Sequence, residues 1–281
     1  MDVIKKLLEN AHDLPGSPQI LPKLMELLRS EDATLEEVGD LIVLEPAITA
    51  KLLQYCNSAY FRRVEPVSNV PEAIGRVGFQ TIYVLVTIVT GAQLLALPVG
   101  SGLDIAQLWR HSLTSAFAAK LVAESLATDG NMLFTAGLLH DMGRVVLAKV
   151  KGAEYGHRLQ RVARSKTSLL EAELSTFGFS HAEVGACLME NWRLPKPLIG
   201  SVRYHHNPAA AGDTRQNAAC ICLSNALAYT TDDSAQSGCF LPDPDGLKCA
   251  RELLKIDDEQ MAGYVEQMKE TMSLIETVLQ N

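Results

Sequence analysis

The sequence has no surplus of basic residues. Among 281 residues, 33 Asp and Glu outweigh 25 Lys and Arg, giving a formal charge of −8. Such a balance argues against general affinity for nucleic acid or anionic membrane, although it permits a local basic pocket. Cysteine is sparse: the six are irregularly spaced, and a chain of this length does not read as a disulfide scaffold. Cys220 and Cys222 form a CxC, but two residues apart on a helix they point in different directions, so they read as free core thiols rather than zinc ligands. Alternation of the strand type is not sustained anywhere, and there is no internal repeat or long low-complexity segment. The N-terminus, MDVIKKLLENAHD, carries acids and no long apolar run, so it is not read as a secretory signal.

Charge is missing altogether from Val77 to Leu103. This stretch is longer than the roughly 20 residues that span a bilayer. It nevertheless contains Gln80, Gln93, three threonines and Pro98, and it stands alone, so it is expected to be a buried helix and not a membrane span. The overall composition, 47% hydrophobic and 21% charged, is that of a globular protein of one or two domains.

What is present is helical. Ile20, Leu24, Leu27 and Leu28 recur at helical spacing. Thr34 with Glu37 forms a capping-box pattern, Pro46 opens a helix ending near Asn57, and Pro71 starts another that leads past Gly78 into the uncharged run. The Pro98–Gly102 cluster, PVGSG, is the candidate boundary. Beyond it, helices are expected over Asp104–Thr128, over Phe134–Val150, across Glu154–Phe177 with a break near Ser165, from the Ser180 cap to Trp192, from Pro195 to YHHNP, over Asn217–Thr230, and from Leu247 onward with a break near Asp257. DDSAQSGCFLPDPDG reads as a loop. The fold class is all-α, with divisions at 1–98, 99–235 and 236–281.

The stretch FTAGLLHDMGRVVLAKV sets His140 and Asp141 side by side in an apolar run. Two polar groups there cost about 1–3 kcal/mol each unless a metal, a phosphate or a hydrogen-bond network satisfies them. Five of the seven histidines join the pattern: His111, His140, His181, His205 and His206, each at or near a helix. A metal centre assembled from several helices of a bundle draws on such a supply. Imidazole with carboxylate suits iron, manganese, zinc or cobalt better than calcium. Singly, each histidine also reads as a core or surface residue. His12 and His157 are assigned no role.

These residues carry a resemblance. FTAGLLHDMGRVVL, preceded one helix earlier by LWRHSLTSAFAAKLVA, is similar to the HD superfamily of metal-dependent phosphohydrolases. LPGSPQILPKLMELL, LEEVGDLIVLEPAITAKLLQYCNSAYF, EAIGRVGFQ, LLHDMG, FGFSHAEVGACLMENWRLP and YHHNP, in that order, resemble the HDOD family over about Leu14 to Tyr229. The resemblance implies a bacterial, cytoplasmic signal-transduction protein. Its N-terminal helical subdomain would pack on an HD-like helical bundle, and it would act through signalling proteins as a non-enzymatic scaffold or sensor.

The departures from the HD pattern bear on activity. His111, His140 and Asp141 correspond to the first three ligands, but the distant aspartate is expected in ICLSNALAY, where Asn225 stands. Its neutral carbonyl binds a divalent cation more weakly than a carboxylate and cannot act as a base. The HD-GYP branch carries Gly-Tyr-Pro after its paired histidines; here that place reads HHNPAAAGDT, which argues against hydrolysis of cyclic-di-GMP. His181, His205 and His206 occupy the places of additional ligands in binuclear members. Three readings follow: a scaffold or sensor, with the cluster structural or holding a regulatory iron, manganese or zinc; a metal-dependent phosphohydrolase, with Arg144 gripping a phosphate; and a regulator that binds a nucleotide without turnover. Arg144 also reads as a plain salt-bridging residue. A homodimer is an expectation without a located interface, and neither NSAYF nor the pair Arg62 and Arg63 defines a contact or nucleic-acid site.

Overall fold

The computed structural model describes residues 2–9, 18–30, 32–57, 66–95, 102–164, 167–231 and 242–279, and among them every regular element is helical. Residues 98–101 of the expected Pro98–Gly102 turn, both divisions at 98/99 and 235/236, His12, Ser58–Arg63, Ser165 and residues 232–241 lie outside the described residues.

Among the described residues, six helices precede residue 96: α1 (Asp2–Glu9), α2 (Ile20–Arg29), α3 (Leu35–Val43), α4 (Pro46–Cys56), α5 (Val70–Val77) and α6 (Phe79–Leu95). Helix α1 is additional to the expected elements. Ile4, Leu7 and Leu8, at i, i+3 and i+4, form its buried face. Thr34 and Glu37 close the expected capping box on α3, and Pro46 and Pro71 sit in the first turns of α4 and α5. The uncharged run becomes α6, buried along almost its whole length and packed against α2, α4, α5, α7 and α8. No single described helix is long and apolar enough to cross a membrane; α5 and α6 reach that only as a pair bent by 119°.

The larger bundle follows: α7 (Ile105–Ser125), α8 (Gly130–Leu139), α9 (Met142–Lys151), α10 (Ala153–Ala163), α11 (Leu169–Phe177), α12 (His181–Asn191), α13 (Lys196–Arg203), a 3-10 turn (Pro208–Thr214), α14 (Arg215–Thr231), α15 (Pro244–Leu254) and α16 (Asp258–Leu279). The N-terminal helices pack on this bundle through α6 and through α1, which meets α12. Helices α7 and α8 lie very close because Gly137 has no side chain: a Cβ there would stand 2.9 Å from the Ala116 Cα and the Ser115 carbonyl. That contact sets the end of α8 against the middle of α7. Cys220 and Cys222 are buried free thiols on α14, and burial pushes both up to about 12.

One expectation needs correction. Phe134–Val150 is not a continuous helix: α8 ends at Leu139, α9 begins at Met142, and His140–Asp141 is the break. On an unbroken helix, adjacent side chains diverge by about 100°. The break lets both face one centre. It also places Arg144 in the first turn of a second helix, not one turn further along the first.

Candidate metal centre

Four parts of the bundle deliver the histidines to one place. His111 comes from the middle of α7, His140 and Asp141 from the α8–α9 break, His181 from the first turn of α12, and His205 and His206 from the residues after α13. All are buried except His206, which is partly buried. Within each of two groups, His111–His140–Asp141 and His181–His205–His206, the ligand atoms lie within 4.8 Å of one another. The groups adjoin: the rings of His140 and His205 are 5.0 Å apart, and His181 Nε2 lies 3.3 Å from Asp141 Oδ1. Asn225 is buried on α14, and its side chain interacts with His111. The structure thus brings together every residue singled out for the cluster. His157, given no role, is exposed on α10.

Local hydrogen bonds set the orientation of the rings. His140 Nδ1 lies 2.7 Å from the Gly137 carbonyl, and His205 Nδ1 lies 2.7 Å from the Val202 carbonyl. A carbonyl only accepts, so each Nδ1 carries the proton and each Nε2 presents a lone pair. Neither Nε2 has a hydrogen-bond partner among the described residues. Leaving such a group buried and unmet costs about 1–3 kcal/mol. Lone pairs facing a carboxylate and further imidazoles fit a divalent transition metal.

His181 is held from behind by Glu173, which is not among the site residues expected from the sequence. The His181 backbone N–H and its Nδ1 meet Glu173 Oε2 at 2.7 and 2.6 Å, leaving Nε2 toward Asp141 and, at 3.0 Å, His206. The Tyr155 hydroxyl donates to Glu173 Oε1 at 2.8 Å. A carboxylate behind a histidine fixes its ring and raises its basicity as a ligand. The sequence does carry a signal for it: Glu173 follows the buried Leu169 by four residues, and Tyr155 shares a stripe with Leu159 and Val162, so both polar groups lie on apolar faces.

Arg144 is buried, and its Nη1 donates to Asp141 Oδ2 at 2.8 Å. Its charge is therefore engaged by Asp141, the salt-bridging alternative. Burial would raise the Asp141 carboxyl, but His140, Arg144 and His181 together hold it well below its usual range. Burial, then His140, lowers His111 to about 3; burial, then His181, lowers His206 to about 3. Burial also lowers His140 and His205. His181 runs the other way: burial lowers it, but Glu173 and Asp141 outweigh burial and raise it.

These shifts predict an acid-labile apoprotein. A histidine that stays neutral when folded but titrates near 6.5 when unfolded contributes fully above 6.5. Its contribution falls as the unfolded chain takes up protons, until the folded group titrates near 3. By pH 5 each of His111 and His206 forfeits about 2 kcal/mol. His181 opposes this in sign, since its contribution is full below the unfolded value and lost as pH rises through its raised folded one. The expected result is a melting temperature of metal-free protein that drops between pH 7 and 5, with a shallower drop in the His111→Leu/His206→Leu variant. Equal slopes would overturn this.

With the geometry in view, comparison with known proteins identifies the lineage. Residues 14–208 match the HDOD domain. The chain belongs to the HDOD family. It is similar to a crystallised HDOD domain protein from Geobacter sulfurreducens, itself of unknown function. Identity is 25%, the TM-score is 0.78, and coverage is 98% of this chain and 95% of that one. An uncharacterised protein of Treponema pallidum is 28% identical over 210 residues, which is 69% of this chain but 38% of the relative's length. A ribonuclease Y from Thermus thermophilus is 27% identical over 99 residues, 35% of this chain and 12% of that enzyme. The chain therefore spans well under half the length of these two relatives. Family and geometry together describe an all-α protein of the HDOD family with two adjoining clusters able to coordinate metal.

Proposed function

We propose that this protein is a cytoplasmic bacterial signalling protein whose histidine cluster binds a divalent metal, iron, manganese or zinc, as a regulatory ligand, and whose output passes through protein partners. The observation that carries this reading is the pair of buried Nε2 lone pairs on His140 and His205, both tautomers set by backbone carbonyls and both without a hydrogen bond among the described residues. His111, Asp141, His181 and His206 would complete the ligand set. A bound metal supplies Lewis acidity there. Against turnover stand Asn225, which offers no carboxylate, and Arg144, whose guanidinium is engaged by Asp141. In this reading residues 1–98 and 99–235 are the two helical subdomains, and 236–281 complete the fold.

A metal-dependent phosphohydrolase is the second reading, supported by the number of converging donors and the partial likeness to ribonuclease Y. Elemental analysis of tag-free protein tests both, beside the His140→Ala/Asp141→Ala variant and a screen of phosphodiesters and nucleotides. The expected result is about one or more equivalents of iron, manganese or zinc, lost in the variant, with no phosphoester turned over. Metal-dependent turnover lost in the variant would move the assignment to the second reading. Substoichiometric metal in both proteins would sink each metal reading.

A further inference from the structure

The acidic chain concentrates positive charge in one short stretch. Between residues 149 and 166 stand Lys149, Lys151, Arg158, Arg161, Arg164 and Lys166, with Glu154 the single acid, in a protein whose net charge is −8. Helix α10 organises this stretch. Its inward stripe, Tyr155, Leu159 and Val162, is buried. Arg161 and Arg164 are exposed on the outer side and Arg158 is partly exposed, at steps of three residues, each on the order of 4.5 Å along the axis.

Apart from Glu154, which lies beside them on the same helix, the acids of the neighbouring helix α11 are engaged elsewhere. Glu173 on α11 is taken by Tyr155 and His181, and Glu171 closes the capping box of α11 with Ser168. No ion pair reaches Arg158, Arg161 or Arg164 among the described residues. Together with Glu154, His157 and Gln160, they line a groove of about 460 Å³. A groove built from one helix is an open surface, suited to another chain laid along it and not to an enclosed small molecule.

We infer that the outer face of α10 is a docking surface for an acidic helical segment of a partner protein. This rests on the signalling reading and deepens it by naming the partner's chemistry. Carboxylates three residues apart on such a segment repeat at the same step of about 4.5 Å as the arginines. Nucleic acid is the poorer fit, because the rest of the molecule carries an acidic excess that repels a long polyanion. The inner side of the same helix reaches the histidine cluster through Tyr155, Glu173 and His181, so a partner seated on α10 lies one hydrogen-bond chain from the candidate metal centre.

The test uses the full chain and three proteins: wild type, the Arg158→Glu/Arg161→Glu/Arg164→Glu variant, and a Lys5→Glu/Lys23→Glu/Lys51→Glu variant with the same change in net charge at exposed positions elsewhere. Fluorescence anisotropy reads binding of a labelled Glu-rich helical peptide and of a single-stranded oligonucleotide of equal charge. Circular dichroism and metal content are measured on the same samples. Wild type should bind the peptide more tightly than the oligonucleotide, and the affinity should weaken as salt passes about 0.1 M. The α10 variant should lose about tenfold or more, and the lysine variant about twofold or less. Equal losses in both variants would reduce the effect to net charge and overturn the inference. Tighter binding of the oligonucleotide would overturn it in favour of a nucleic-acid surface. Metal content is read separately, so failure of the metal reading leaves the docking result interpretable.

Discussion

Replacing Gly143 with alanine is expected to remove most of the folded protein, and the histidine cluster with it. Gly143 lies in the first turn of α9, two residues after Asp141, where α9 crosses α12. A Cβ at this position would stand 1.9 Å from the His181 carbonyl oxygen and 2.7 Å from the Gly185 nitrogen. Both obstacles are helix backbone, so no rotamer change can make room. An ordinary carbon–oxygen contact is about 3.3 Å or more, so the helices would have to part by roughly 1.5 Å. That separation would open the core on both sides and draw His181 away from Asp141, now 3.3 Å apart. Overpacking of this severity belongs among the large single-site effects, about 4 kcal/mol or more. Thermal and urea unfolding, with metal content measured on whatever folds, check it. Gly75→Ala is the companion: that glycine is exposed on α5, and an added methyl group would meet nothing within 4 Å, so the change should stabilise by about 0.5–1 kcal/mol. If Gly143→Ala melted like wild type and kept its metal, the close crossing would not be what holds the two halves of the cluster together.

That crossing marks the limit of what the sequence makes legible. Local chemistry announces itself: Thr34 with Glu37 and Ser180 with Glu183 cap helices where their spacing says they should, and the described part of the long uncharged run is a mostly buried helix, as expected. The six cluster residues are also legible, because histidines at helices and a polar pair in an apolar run are costly unless they share a purpose. The break at His140–Asp141 is not, because the apolar pattern resumes directly after it and the flanking glycines, Gly137 and Gly143, lie inside the helices. Only the tertiary demand that both side chains face one centre interrupts the helix. Glu173 and Tyr155 escape for a related reason: each sits on an apolar stripe, but their pairing joins α10 to α11 and has no local signature. Arg144 is legible as a charge near the pair, whereas its engagement with Asp141 depends on the turn that the break creates.

Asn225→Asp should change stability in opposite directions with and without metal. Asn225 is buried on α14 beside His111, in a cluster that already holds the ionised Asp141. Without metal, a second carboxylate must either ionise among neutral histidines and near a like charge or stay protonated at a raised pKa, and both cost free energy. About 2–3 kcal/mol of lost stability is expected for the metal-free protein. With a divalent cation, the same carboxylate replaces a neutral amide as a donor and offsets cationic charge, so affinity should rise by about tenfold or more. At fixed free metal in excess, each tenfold gain adds about 1.4 kcal/mol to the folded state. Melting curves with a chelator and with saturating manganese or zinc should therefore diverge, the variant melting below wild type in the first and gaining more on metal addition in the second. A variant that melts like wild type under both conditions would remove position 225 from the coordination sphere. Phosphodiester turnover appearing only in the variant would mean that this asparagine is what separates a metal-binding signalling protein from a hydrolase built on the same helices.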